Sequence, residues 1–257
     1  VVICCDEEDE IERCLASLSF CDEIVVVDSG SKDRTREIAR RYTDRVIEQP
    51  FLGYVAQKNF ALDHAKHDWV VCIDADESIE PELAREIERA IAGNDGRVAG
   101  YALDRMTYYL DVWHDAGDWY PDWQLRVFRR SRGRWVGMDP HDRVELDGPV
   151  ERLRGRLVHR NYRDLSDHIR TVDRFSGRLA RAMHEQGMRF RLVDLLLRPP
   201  LRFVKGYLLR GGFRLGLPGL LVSASTAYYV FMKYAKLWEI ERSERHRAAR
   251  GGERGPR

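Results

Sequence analysis

Trp69-Val70-Val71-Cys72-Ile73-Asp74-Ala75-Asp76-Glu77 passes from an apolar, β-branched run straight into three carboxylates. A short apolar run with so abrupt an end reads as a buried strand. Outward from it the same transition recurs: residues 1–5 precede Asp6-Glu7-Glu8, and residues 24–27 precede Asp28-Ser29-Gly30-Ser31. Residues 45–47 fit a further strand. Between these runs the spacing turns helical, with Ile11, Leu15 and Leu18, then residues 33–42 with Ser31 as N-cap, then residues 57–65. Pro81 sits where helix starts favour it, ahead of Leu83, Ile87 and Ile91 on one face. Strand alternating with helix at this pace predicts an α/β fold, a mostly parallel sheet covered on both faces. Ligands of such sheets bind outside the carboxyl ends of the strands, so the three acidic strand ends are expected to meet at one edge. A single Asp after a strand can be a plain turn former. Three, one of them a DxD, favour a shared hard cation such as Mg2+ or Mn2+ with positions left for phosphate oxygens.

After Gly100 the sequence becomes aromatic-rich and strand-like over 101–110, 124–128 and 143–146. From Asp164 onward it is helical. Ile169, Val172, Leu179 and Met183 share a face, residues 192–209 form a second candidate that Pro199-Pro200 should bend or break, and residues 215–232 form a third. The expected organisation is a domain over 1–163 (a nucleotide-binding half, 1–99, and an acceptor half, 100–163), a helical region over 164–241 and a disordered tail over 242–257.

The nucleotide-half runs above, taken with Gln57-Lys58-Asn59-Phe60-Ala61-Leu62, resemble family 2 glycosyltransferases of the GT-A (Rossmann-like) fold. Trp119-Tyr120-Pro121-Asp122-Trp123-Gln124-Leu125-Arg126-Val127-Phe128, His141-Asp142-Arg143-Val144 and His159-Arg160-Asn161-Tyr162 are similar to the lipopolysaccharide-core β-glucosyltransferase (WaaE-like) branch. The resemblance continues through Arg202-Phe203-Val204-Lys205-Gly206-Tyr207 and Lys233-Tyr234-Ala235-Lys236-Leu237-Trp238, so it spans nearly the whole chain. It implies an inverting, metal-dependent transfer of a sugar, glucose in that branch, from a UDP-sugar to a lipopolysaccharide-core or other envelope glycan.

Residue by residue, the resemblance implies that Asp28 contacts the base and that Asp6 or Glu7 lines the same pocket. Lys58 would lie near the uridine or diphosphate, Asp74 near the ribose, and Asp76 on the Mg2+ or Mn2+ that bridges the diphosphate. An inverting transfer needs a base for the acceptor hydroxyl. Asp122 occupies that place in the motif, and Asp142 is its rival. His159 is a further metal or diphosphate ligand, or else a histidine that supports the site. His141, Trp119 and Trp123 would shape the acceptor pocket, since sugars stack on aromatic rings. His64, His67, His114, His168, His184 and His246 read as ordinary surface residues. Two other classes compete: a phosphatase of the haloacid dehalogenase type using the strand into Asp74-Ala75-Asp76, and a non-catalytic membrane-attached binding module.

Charge is unevenly divided. Residues 1–150 carry 19 Lys and Arg against 32 Asp and Glu, whereas residues 151–257 carry 24 against 10, so an acidic front is joined to a basic back. With 33% charged residues overall, a membrane-embedded bundle is disfavoured. The basic, apolar back instead fits helices lying at the cytoplasmic face of the inner membrane, next to a lipid-linked acceptor, with no nucleic-acid partner expected. The five cysteines form no CxxC pair and read as small core residues in a reducing compartment.

Overall fold

The computed structural model describes residues 1–138 and 141–252, apart from the side chains of residues 138, 141 and 247–252. The chain divides into two compact units, Val1–Tyr108 with Pro121–Asn161, and Tyr109–Tyr120 with Tyr162–Arg257.

In chain order the first unit begins β1 (Val2–Cys4), α1 (Ile11–Ala16), β2 (Val26–Asp28), α2 (Thr35–Ala39), β3 (Val46–Glu48) and α3 (Tyr54–Asp63). It continues β4 (Trp69–Val71), β5 (Ile73–Asp74), β6 (Glu77–Ile79), α4 (Pro81–Ala92) and β7 (Gly100–Tyr109), whose last residue falls in the second unit. A two-residue β8 (Val112–Trp113) in the second unit is followed in the first by β9 (Trp123–Arg129), β10 (Gly133–Met138), β11 (His141–Leu146) and β12 (Val150–His159).

Strands β3-β2-β1-β5 make a wholly parallel sheet, as the strand–helix alternation requires. Its core consists of Val2, Val26 and Ile73 packed with Ile11, Leu15, Ile38, Leu83 and Ile87, all buried. A second, mixed sheet runs β4-β9-β7-β12-β6, with β12 parallel to β7 and the other pairings of this path antiparallel. Gly155 on β12 lets α4 approach closely, because a Cβ there would stand 2.6 Å from the Leu83 Cα.

The apolar run 69–73 is two strands rather than one. Val71 pairs with Val127 in the mixed sheet, whereas Ile73 pairs with Val2 in the parallel one. Cys72 lies at the change-over and donates its N–H to the Arg126 carbonyl. A buried run on one register with β9 and on another with β1 serves both sheets, which periodicity alone does not reveal.

In the second unit, α5 (Leu165–Glu185), α6 (Leu192–Val204) and α7 (Gly216–Gly252) pack together. Asp164 caps α5 by accepting the Asp167 N–H at 2.7 Å. Three expectations are corrected here. First, Pro199 and Pro200 do not break α6, which runs on to Val204 and passes into one π-helical turn, Lys205–Leu209. The prolines remove the N–H donors that the Leu195 and Leu196 carbonyls would otherwise accept, and Pro199 itself is buried. Second, the region expected as a disordered tail from residue 242 is helical as far as Gly252, and at its start Glu241 stands four residues before Arg245, a spacing that supports a helix. Residues 253–257 lie outside the described residues. Third, Tyr109–Tyr120 groups with the helices rather than with an acceptor half.

The reason for that third difference is an aromatic cluster. Tyr109, Trp119, Tyr162, His114 and His168 have ring centroids 4.2–6.2 Å apart, with Tyr162 stacked on His168. His114 and His168 are therefore buried, not surface residues as expected. Burial pushes the His168 imidazole down to about 4 and lowers that of His114 as well.

Candidate functional site

The parallel sheet places β1 between β2 and β5, with Cys4 opposite Asp28 and Ile3 opposite Asp74. Two of the acidic strand ends thus share an edge with Asp6, as the strand order demands. Asp28 is fully buried. Its Oδ1 accepts the N–H groups of Gly30 and Ser31 at 3.0 Å each, and its Oδ2 accepts the Ser31 hydroxyl. Gly30 takes a φ of +94° in this turn, which glycine adopts without strain. Ser31 consequently serves Asp28 instead of capping α2, and Asp33 accepts the Thr35 N–H at 2.9 Å in its stead. Asp28, expected to touch a base directly, has no open surface and acts as the brace of its loop.

Asp6, at φ +56°, ties the first loop to the second: its N–H donates to Ser31 Oγ, and its carboxylate accepts the Lys32 N–H at 2.7 Å. Glu7 donates its N–H to Thr35 Oγ1 at 2.8 Å. Buried Gln57 completes the brace by donating to Ser29 Oγ and the Gln49 carbonyl, both at 3.1 Å.

Around the DxD the side chains form a connected ion-pair chain. Lys58 Nζ lies 3.0 Å from Asp74 and 2.8 Å from Asp142, over the face of Trp135 at 4.3 Å. Arg126 joins Asp74 at 2.6 Å to Glu77 at 2.7 Å, and Arg105 joins Glu77 at 3.1 Å to Asp122 at 2.7 Å. Glu77 and Arg126 are both buried. Burial alone would raise the Asp74 carboxyl, but Arg126 and then Lys58 hold it well below the usual carboxylate range. Burial likewise works against charge on Arg126, and Asp74 with Glu77 more than compensates. Glu77 also accepts the Asp74 N–H at 3.0 Å, so it fixes the turn that carries Asp76.

Asp76 stands apart from this chain. His159 Nε2 lies 3.2 Å from its Oδ2, and its carbonyl accepts the Arg160 N–H at 3.0 Å. The two side chains remain open, 28% for Asp76 and 13% for His159. One carboxylate oxygen and one imidazole nitrogen suit Mg2+ or Mn2+. Among the described residues no group of three or more His, Cys, Asp or Glu gathers, so phosphate oxygens and water would complete such a shell.

Asp122 is held by Arg105 through both Nε and Nη2, and its Oδ1 accepts from Gln124. Its rival Asp142 is committed to Lys58. Trp123 lies half-buried under the Arg152 guanidinium at 4.6 Å. Trp119, also expected in the acceptor pocket, belongs to the aromatic cluster of the second unit. The side chain of His141 lies outside the described residues.

The family model described as "Glycosyl transferase family 2" matches residues 1–153. The chain belongs to this family. It is 31% identical to the lipopolysaccharide core biosynthesis glycosyltransferase LpsC of Rhizobium meliloti (strain 1021), over 93% of this chain and 90% of that protein. It is also 29% identical to the uncharacterized glycosyltransferase RT0209 of Rickettsia typhi, over 95% and 88%. Among solved structures it is similar to S. aureus TarS 1-349 in complex with UDP, at 14% identity and a TM-score of 0.45, over 96% of this chain and 90% of that one. Family membership makes the chain a glycosyltransferase, and the phosphatase and binding-module readings fall away. Of the residues singled out in the sequence, Lys58, Asp74, Asp122 and Asp142 come together in one chain of ion pairs, with the Asp76–His159 pair adjoining it. Glu77, Arg105 and Arg126 were not foreseen. Glu77 had a legible signal as the fourth residue of Asp74-Ala75-Asp76-Glu77; the two arginines had none, because their partners come from other strands.

Proposed function

We propose that the protein is an inverting, metal-dependent glycosyltransferase that moves a sugar, glucose, from a UDP-sugar to a lipopolysaccharide-core acceptor at the cytoplasmic face of the inner membrane. One observation carries the reading: the acidic turn of Asp74 and Asp76 is wired through Arg126, Glu77 and Arg105 to Asp122. Such wiring holds a donor-binding end and a base in fixed register, which is what a one-step displacement requires. The name of the R. meliloti relative supports the acceptor class.

In this reading Asp6, Glu7 and the turn braced by Asp28 form the base pocket, and Asp74 meets the ribose. Lys58 turns from Asp74 and Asp142 toward the diphosphate. Asp76 and His159 hold Mg2+ or Mn2+, which when bound neutralises charge on the departing diphosphate. Asp122 takes the proton of the attacking hydroxyl, and Arg105 fixes its orientation. Trp123 offers an aromatic wall to the acceptor, and His141 belongs to the same pocket.

Nucleotide release from a panel of UDP-sugars, with truncated lipopolysaccharide as acceptor and Mg2+ or Mn2+ present, tests the reading. UDP-glucose is expected to be the active donor. Asp122→Asn should lower kcat by about 10²–10⁴-fold and Asp142→Asn by far less. Asp76→Ala should abolish the metal response while leaving Tm unchanged. Full turnover in EDTA, or an inactive Asp142→Asn beside an active Asp122→Asn, would overturn the assignments.

A further inference from the structure

We infer that α6 and the π-helical turn after it form a wedge that inserts into one leaflet of an anionic phospholipid bilayer. The inference deepens the membrane part of the reading above by naming the element and the partner. Leu192, Leu196, Leu197 and Leu201 of α6 and Leu208 and Leu209 of the following turn are all exposed, Leu201 by 64% and Leu209 by 78%. On a regular helix Leu192 and Leu196 lie about 40° apart, as do Leu197 and Leu201, and the four together cover about half of the circumference of α6. The remaining half is occupied, since Pro199 is buried and Leu195 packs against the cluster of Ala180, Met183, Tyr234 and Leu237. A soluble protein does not expose so much contiguous leucine without a partner.

Charge identifies the partner. Residues 189–214 carry seven Lys and Arg and a single acid, Asp194. That acid is taken by Arg198 at 2.6 Å, and Arg202 is spent on Asp118 at 3.0 Å. Arg189, Arg191, Lys205 and Arg214 make no ion pair among the described residues, are exposed, and flank the leucines along the chain. Leucine ringed by unpaired cations matches acyl chain beneath phosphate, whereas an apolar protein partner would need no such surplus.

A spanning helix is the competing geometry. Residues Gly212–His246 are long enough to cross a membrane and contain an 18-residue stretch with a mean hydropathy of 1.4. Yet Lys236 donates to the Asp173 carbonyl, the Asp173 carboxylate and Ser176 Oγ on α5, and Tyr234 and Leu237 pack on Ala180 and Met183. The second half of α7 is therefore bound to a helix that bears Arg170, Arg174, Arg178 and Arg181. The remaining stretch, roughly 15 residues at ~1.5 Å each, falls short of a ~30 Å hydrocarbon core.

Flotation of the full chain with vesicles of phosphatidylcholine alone, or mixed with phosphatidylglycerol, tests the wedge. Binding is expected on the mixed vesicles, reversed by alkaline carbonate. Leu201→Glu combined with Leu209→Glu should weaken it at least about tenfold. Arg191→Gln combined with Arg214→Gln should weaken it about twentyfold on mixed vesicles only. Both pairs are exposed, so Tm and nucleotide release with a soluble acceptor should not change. Equal binding to both vesicle types, retention after carbonate, or a vesicle-indifferent dimer that covers the leucines would overturn the inference. Vesicle binding without turnover of any UDP-sugar would instead sink the activity and leave the wedge standing.

Discussion

The two units invert each other's use of polarity. The first buries charge: Glu77, Arg126 and Asp28 lie inside it, each matched by a partner of opposite charge or by N–H and O–H donors. The second exposes leucine along α6 while burying two histidines within aromatic rings. Buried ions are costly and are retained where their geometry is needed. Exposed leucines are costly in water and are retained where something other than water meets them. Each unit departs from the ordinary inside–outside rule where its proposed work is done.

The largest effect that would test this contrast comes from the buried charge. Glu77→Ala leaves Arg105 and Arg126 without their shared carboxylate, and should cost on the order of 3–5 kcal/mol, read as a fall in Tm of about 10 °C. A fall of only a degree or two would mean that water or another acid takes over, and the first unit would lose its claim to a fixed lattice.

Acid should separate the units next. Burial lowers His168 from 6.5 to about 4, so the neutral form is favoured in the folded state. The unfolded chain takes up its proton first, and stability falls as pH drops from 6.5 toward 4, by roughly 3 kcal/mol in all. Asp74 behaves differently. Its folded value lies below its ordinary 3.8, so its contribution is whole above that pH and is lost only in stronger acid. Near-UV circular dichroism from the Tyr109–Trp119–Tyr162 cluster should therefore weaken between pH 6.5 and 4, before the first unit unfolds. His168→Phe should flatten that phase; a transition unmoved by the substitution would dissociate the cluster from acid sensitivity.

The smallest effect is expected at the wedge. Leu209→Ser should change stability by less than about 0.5 kcal/mol, because its side chain already stands in solvent. Leu103→Ala in the first unit should cost about 2–5 kcal/mol, since Leu103 is fully buried. Equal costs at the two positions, measured by chemical denaturation, would show that the surface of α6 is covered within the protein.

Much of the first unit was legible because its signals are local. β2 ends at Asp28 and β5 at Asp74 as read, and Pro81 opens α4. Asp74, Asp142 and Lys58 were each singled out, but that one ammonium joins both carboxylates was not, since Asp142 arrives on β11, 84 residues from Lys58. Trp119 and Trp123 looked alike in sequence and ended in different units. The histidines misled for a related reason: His168 lies in a polar stretch of α5, and the rings of Tyr109 and Trp119, distant along the chain, together with that of Tyr162 make it an interior residue.

The sequence by itself determined the alternation of strand and helix, the acids at the strand ends, the family and the basic, apolar character of the second unit. These depend on neighbours along the chain, where periodicity and turn chemistry act. Tertiary structure alone decided that Asp28 braces its loop from within, that Glu77 joins two arginines, and that the leucines of α6 face outward while Pro199 faces in. Whether a carboxylate is a ligand or a brace, and whether a leucine is core or surface, depends on which distant groups pack around it, and that distance does not exist along a chain.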